Sequence, residues 1–113
     1  MEQITLKKLC EETGISRRSI QRYEEAGLMH PAGRNKYGYL LYDRKTVERA
    51  EKIRFFQQMG FRLREIGEIL DAPADVLKDA LERRIEVLEQ EREQQKRLIG
   101  RAYQMLETLE KRI

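Results

Sequence analysis

Apolar residues recur in short bursts over the first seventy or so positions and as one unbroken stripe beyond them. Thr5 stands before Leu6, Leu9 and Cys10, whose spacing predicts a capped helix through Glu12 with those three residues inward. Thr13 and Gly14 mark a turn, and Ile15 is placed to anchor it. Ser16 then caps a second helix, Arg17 to about Ala26, burying Ile20 and part of Tyr23. Gly27 ends that helix, because a glycine just past the last turn adopts a left-handed conformation at little steric cost. Leu28 to Tyr42 breaks the helical period. Pro31, Gly33, Asn35 and Gly38 are turn formers flanked by Leu28–Met29 and Tyr39–Tyr42, which predicts a short two-stranded hairpin, a wing, with Arg34 and Lys36 at its tip. Asp43 caps a third helix, Arg44 to Met59, whose apolar side is Val47, Ala50, Ile53, Phe55 and Phe56. Gly60 stops it, and a fourth helix, Leu63 to Leu70, turns Leu63, Ile66 and Leu70 inward.

The remainder is one long helical pattern, with Pro73 suited to its first turn. Leu81, Ile85, Leu88, Arg92, Gln95, Ile99, Ala102, Leu106, Leu109 and Ile113 are spaced alternately by 4 and 3. That is a heptad seam with two polar positions near its middle. A helix over residues 74 to 112 reaches about 60 Å, far more than the small preceding unit can cover, so the seam calls for another chain. Gly100 lies off the seam, and a helix folding back there into a hairpin is the competing arrangement. The fold class is therefore mainly α: a winged helix-turn-helix unit over residues 1–72, followed by a coiled-coil dimerisation helix over residues 73–113.

Charge sharpens the picture once it is located. The chain has 113 residues and a net charge of +3. Residues 1–70 hold 14 Lys and Arg against 10 Asp and Glu, a net of +4, while residues 71–113 hold 9 against 10. The segment 14–49, with 8 basic and 4 acidic residues, accounts for the whole excess, which suits a phosphate backbone. Cys10, the one cysteine, excludes an internal disulfide and reads as a small core residue. No apolar run reaches the length of a membrane span, and the N-terminus does not resemble a signal peptide, so a cytoplasmic location is expected. One histidine, His30, no phosphate-cradling glycine loop and acids spread over helix surfaces leave no catalytic constellation, no metal site and no cofactor site. An enzyme is not expected.

The chemistry that remains is that of DNA recognition. Ser16 opens a helix whose first turn offers Arg17 and Arg18, with Gln21 and Arg22 a turn later. A short exposed helix of this kind is what a major groove admits and reads. A solvated charged face is the bland alternative for these arginines, but their coincidence with a helix-turn-helix and a basic hairpin favours DNA contact. Tyr37, Tyr39 and Tyr42 divide between packing and contact, with Tyr42 mostly core.

The order of these parts resembles the MerR family of transcription regulators. The segment R-x-x-x-Q-R-Y-E-E-x-G-L, the wing G-Y-x-x-Y and G-F-x-L-x-E-I carry the resemblance, which spans essentially the whole chain. It implies a homodimer joined by antiparallel pairing of the long helix, with each second helix in a major groove of a near-palindromic operator. By position, Arg18 matches a basic residue near the helix start, Gln21 stands where many members have a DNA-contacting arginine, and Tyr23 matches a tyrosine near the backbone. Arg34 and Tyr39 match wing positions that approach phosphates. The chain departs from the pattern at Leu40, where the family usually has arginine, and at Arg22, where an aromatic is common; Arg17 is an additional basic residue. Gln21 favours adenine over guanine if it reaches a base edge. Cysteines of the metal-sensing and iron–sulfur members have no counterparts, which argues against thiolate-based metal sensing.

The expected function is thus a sequence-specific DNA-binding transcription regulator, a homodimer that distorts promoter spacer DNA, with RNA polymerase open as a partner and the effector unassigned. Candidate DNA contacts are Ser16, Arg17, Arg18, Gln21, Arg22, Tyr23, Arg34, Lys36 and Tyr39. The candidate dimer interface is Leu81, Ile85, Leu88, Arg92, Gln95, Ile99, Ala102, Leu106 and Leu109. The alternatives are an architectural, excisionase-like DNA-binding factor and a coiled-coil protein-interaction module.

Overall fold

The first three helices begin where a short polar side chain satisfies an open backbone donor. In the computed structural model, which describes residues 2–113, the Thr5 hydroxyl accepts from the Lys8 amide at 3.3 Å and opens α1, Leu6–Thr13. The Ser16 hydroxyl accepts from the Ser19 amide at 3.0 Å and opens α2, Arg17–Glu25. An Asp43 carboxylate oxygen takes both the Thr46 amide at 2.9 Å and the Thr46 hydroxyl at 2.7 Å, opening α3, Arg44–Gln58. These hydrogen bonds hold the Asp43 carboxyl below the usual carboxylate range. At α4, Leu63–Ile69, the Glu65 carboxylate reaches back to the Arg62 amide at 3.0 Å, one half of a capping box. Gly14, Gly27 and Gly60, with φ of 74°, 74° and 101°, close α1, α2 and α3 in the left-handed region.

Between α2 and α3 lies the wing, and here the structure adds an element. β2, Gly33–Arg34, pairs antiparallel with β3, Leu40–Tyr42, setting Gly33 opposite Leu41 and Arg34 opposite Leu40. β3 also pairs with β1, Ile4–Thr5, through Ile4 with Tyr42 and Thr5 with Leu41. The expected two-stranded hairpin is therefore a three-stranded sheet of order β1-β3-β2. A two-residue strand leaves no alternation to detect, and its partner lies almost forty positions away. Arg34 sits in β2 rather than at the tip, and Leu28 and Met29 enter the core instead of flanking the wing.

The core joins α1, α2, α3, α4 and the sheet. Leu9, Ile15, Ile20, Tyr23, Met29, Tyr42, Ala50, Ile53, Phe56 and Ile66 are all buried, with Leu28, Ile69 and Leu70 closing one side. Phe55 departs from expectation, being 52% exposed. Ala50, Ile53 and Phe56 follow one another at steps of three and take the inward face of α3, so Phe55, about 100° away, must point outward. Its ring lies tilted at 5.9 Å from that of Phe56.

α5 runs without interruption from Ala74 to Glu110, so the fold-back at Gly100 does not occur. Pro73 precedes it, its carbonyl accepting from the Val76 and Leu77 amides at 3.1 Å, one position earlier than the sequence reading placed it. The chain divides into two compact units, Met1–Leu77 and Lys78–Ile113. In the second, Lys78–Glu82 and Asp79–Arg83 form ion pairs one turn apart, and no residue of α5 is buried.

Candidate nucleic-acid interface

A recognition helix needs a rigid turn behind it, and long-range side chains supply that rigidity. The buried Thr13 hydroxyl donates to the Leu9 carbonyl at 2.8 Å and accepts from the Ile15 amide at 3.1 Å. The Thr13 carbonyl in turn accepts from the Arg54 guanidinium of α3 at 2.6 Å. A Cβ added at Gly14 would come within 3.5 Å of that guanidinium, so the turn and α3 approach closely. At the other end of α2, the Leu28 carbonyl accepts from Arg49 at 2.5 Å, and Arg49 also makes two 2.7 Å bonds to Asp71. Sequence reasoning missed Arg54 and Arg49, whose partners lie 41 and 21 positions away; a helix-face arginine looks the same whether it clamps a carbonyl or meets only water.

With its back held, α2 leaves Ser16, Arg17, Arg18, Gln21 and Arg22 exposed on one side. Among the described residues, the side chains of Arg17, Arg18, Gln21 and Arg22 have no hydrogen bond or ion pair. The Ser16 hydroxyl is occupied in capping and also donates to the Ser19 hydroxyl at 2.9 Å. Tyr23, placed by the sequence resemblance near a DNA backbone, lies in the core of the free chain. Its side chain is 1% exposed, and its hydroxyl donates to Gln57 of α3 at 2.7 Å. Burial pushes its phenol pKa upward. The i, i+3 spacing from Ile20 puts Tyr23 on the inward face.

The wing is held open by its own turn. The Asn35 carboxamide oxygen accepts from the Tyr37 and Tyr39 amides, both at 3.0 Å, while its backbone amide donates to the Tyr39 carbonyl at 2.9 Å. Gly38 closes this loop at φ 84° and donates to the Asn35 carbonyl at 3.0 Å, a hairpin loop that needs glycine at the left-handed position. Arg34 donates to the Gly38 carbonyl at 2.8 Å, and the Lys36 ammonium lies 5.1 Å from the Tyr37 ring centroid. Tyr39 is 65% exposed. Leu40, where the resemblance led one to look for an arginine, stands across the ladder from Arg34, which keeps one guanidinium on that stretch of the wing.

Helix and wing meet around an open concavity of about 500 Å³ lined by Thr5, Leu6, Lys7, Arg17, Gly38, Tyr39 and Leu40. It brings Arg17 and Tyr39 to one surface and adds Lys7, which the sequence analysis did not single out. Its position early in α1, beside another lysine, was the available signal. Cys10 is half-buried; burial raises its thiol pKa despite the lowering influence of Arg17. A raised pKa is the opposite of what a reactive thiolate needs. The hydroxyl of buried Tyr42 donates to Glu24 at 2.5 Å, and burial together with this bond drives its pKa far above the ordinary phenol range. Among the described residues no helix is long and apolar enough to cross a membrane, and no group of His, Cys, Asp and Glu is placed to hold a metal ion.

Comparison with known proteins agrees with this geometry. The chain is 35% identical over 94 residues to the HTH-type transcriptional activator mta of Bacillus subtilis, a match covering 83% of this chain and 37% of that protein. It is 32% identical over 91 residues to the HTH-type transcriptional regulator CueR of Salmonella typhi, covering 74% of this chain and 66% of the relative. The crystal structure of MtaN, the N-terminus of the Bacillus subtilis multidrug transporter activator, superposes with a TM-score of 0.72 at 33% identity, over 91% of this chain and 97% of that one. The chain thus spans little more than a third of the length of mta. Residues 4–73, which hold α1, α2, the wing, α3 and α4, match the model of the MerR HTH family regulatory protein, and the chain belongs to that family and carries its DNA-binding domain.

Proposed function

We propose that the chain acts as a homodimeric, sequence-specific transcription regulator on double-stranded DNA, residues 1–72 reading the operator and residues 73–113 joining two copies. The observation that carries this reading is the shared concavity of α2 and the wing, where Arg17 stands with Tyr39 and Lys7. In it, Arg18, Gln21 and Arg22 enter a major groove, Ser16 and Arg17 meet its edge, and Arg34, Lys36 and Tyr39 hold the adjacent backbone. Tyr23 has no part in the contact. Gln21 in a bidentate contact selects adenine. The dimer is supported by α5, a helix of 37 residues with none buried.

Two reading heads fixed by one helix pair impose a half-site separation and bend or untwist the near-palindromic DNA between them, at a cost of a few kcal/mol offset by backbone contacts on both sides. RNA polymerase then meets realigned promoter elements, in the cytoplasm. Fluorescence anisotropy on DNA upstream of the chain's own gene, between 50 and 200 mM salt, tests the reading. Removing one phosphate contact per protomer by Arg34→Ala should reduce the slope of log K against log salt by roughly 2 for a dimer. Binding that ignores both salt and the substitution refutes it. An operator library selected with Gln21→Arg should exchange adenine for guanine at one position per half-site.

A further inference from the structure

The seam of the Lys78–Ile113 unit contains enough polarity to set how two copies align, a question that rests on the homodimer proposed above. Ile85, Ile99, Leu106 and Leu109 are between 44% and 57% exposed, and the polar seam members Arg92 and Gln95 are exposed as well. Glu89 and Lys96, which border the seam on one side, have no ion-pair partner among the described residues. Lys78, Glu82, Asp79 and Arg83, by contrast, are satisfied inside their own helix.

We infer that two copies of α5 pair antiparallel in the register that sets Arg92 of each against Gln95 of the other, with Glu89 of each beside Lys96 of the other. This alignment stacks Leu88 on Ile99, Ile85 on Ala102 and Leu81 on Leu106, each pair occurring twice about the two-fold axis. It unites the polar residues in one central layer where guanidinium and carboxamide satisfy each other. The charged neighbours at the edge are then of opposite sign, which is how flanking positions select a partner helix.

A shift of one heptad in one direction sets Arg92 on Leu88 and Gln95 on Ile85. The in-phase antiparallel register one heptad along in the other direction stacks as many apolar pairs as the proposed one: Leu88 on Leu106, Ile85 on Leu109 and Leu81 on Ile113. It also packs Arg92 on Ala102 and Gln95 on Ile99, desolvating both polar groups without partners, and brings the two Lys96 side by side. A parallel pair sets Arg92 against its own copy at the centre of the seam, a like-charge contact in partly excluded water. Polar matching therefore decides where apolar matching does not. The choice has a geometric consequence, because a one-heptad change slides one helix about 10 Å along the other and with it the separation of the reading heads.

A charge-swap series on the full chain, read by sedimentation equilibrium, tests the register. Glu89→Lys and Lys96→Glu alone should each weaken dimerisation by about three- to tenfold, the scale of two exposed ion pairs lost and replaced by repulsion. The double variant should recover most of the wild-type affinity. In a parallel pair the double variant would instead bind more weakly than either single one, because Arg84 then meets Lys at 89 and Glu91 meets Glu at 96. In the register one heptad along, Lys96→Glu would leave affinity unchanged and the double variant would gain nothing. Either of those results overturns the inference while leaving the dimer standing; a monomer at every concentration overturns both.

Cysteine pairing gives an independent readout. In a Cys10→Ser background, Glu89→Cys with Lys96→Cys should yield a disulfide-linked dimer on mild oxidation, and Lys96→Cys alone should not. The proposed register staggers the two Lys96 positions by five residues, about 7.5 Å along the axis, beyond the usual Cα separation of a disulfide. Efficient linkage through Lys96→Cys alone refutes it.

Discussion

Replacing Thr13 by valine removes one hydroxyl from the helix-turn-helix and little else. Valine matches threonine in shape, keeps the β-branch and leaves the Thr13 carbonyl free to accept from Arg54 as before. Two hydrogen bonds go: the hydroxyl no longer donates to the Leu9 carbonyl or accepts from the Ile15 amide. Only the second loss leaves an orphan of consequence, since a helix carbonyl keeps a second bonding partner whereas a buried N–H has just one. Ile15 is 3% exposed, so water does not easily replace the hydroxyl. An unsatisfied buried donor costs roughly 1–3 kcal/mol. For a cooperative unit of this size each kcal/mol shifts Tm by about 4–8 °C, so the variant should melt roughly 5–20 °C below wild type. Thr13→Ser, which keeps the oxygen and loses a methyl, should lose no more than about half as much, nearer the ~0.8 kcal/mol of one buried methylene. Thermal unfolding followed by circular dichroism at 222 nm, at fixed protein concentration because the proposed dimer links stability to mass action, measures both. Thr13→Val melting at or above the wild-type temperature, or Thr13→Ser melting lower than Thr13→Val, would refute the claim that the hydroxyl staples this turn.

Three further expectations follow from the same contacts. Ser16→Ala removes the α2 cap and should cost about 1 kcal/mol, visible as a lowered Tm with the two-state shape retained. Tyr42 ionises less readily in the folded chain than in the unfolded one, so its contribution is fully present below about pH 10 and is lost as pH rises further, through its folded pKa. Alkaline titration of stability should show this fall in wild type and a shallower one in Tyr42→Phe, which at neutral pH also loses the bond to Glu24. Gly38→Ala meets no neighbouring atom but must hold φ near 84°, a strain of about 1–2 kcal/mol for a residue with a Cβ. It should weaken DNA binding through the wing while shifting the core melting temperature by only a few degrees.

The sequence by itself determined whatever depends on a handful of neighbouring residues. Thr5, Ser16 and Asp43 start helices because a side-chain oxygen reaches an amide three positions on. Gly14, Gly27 and Gly60 stop them because only glycine enters the left-handed region cheaply. The bare arginine face of α2 follows equally from period and polarity, whereas the continuity of α5 through Gly100 was settled only by the structure. Tertiary structure decided what depends on residues far apart in the chain. β1 exists because Ile4 and Thr5 meet β3, not because two residues have any strand signal of their own. Tyr23 is core because α3 packs on the Ile20–Tyr23 face of α2 and Gln57 accepts its hydroxyl, and Phe55 is outward because Ala50, Ile53 and Phe56 take the inner face of α3. Arg54 and Arg49 fix the ends of α2 through carbonyls whose distance no local pattern encodes. Lys7 joins the candidate interface only because folding brings α1 beside the wing. Backbone caps are local chemistry and can be read in order along the chain; the faces that side chains share are set by packing, which exists only once the chain has closed upon itself.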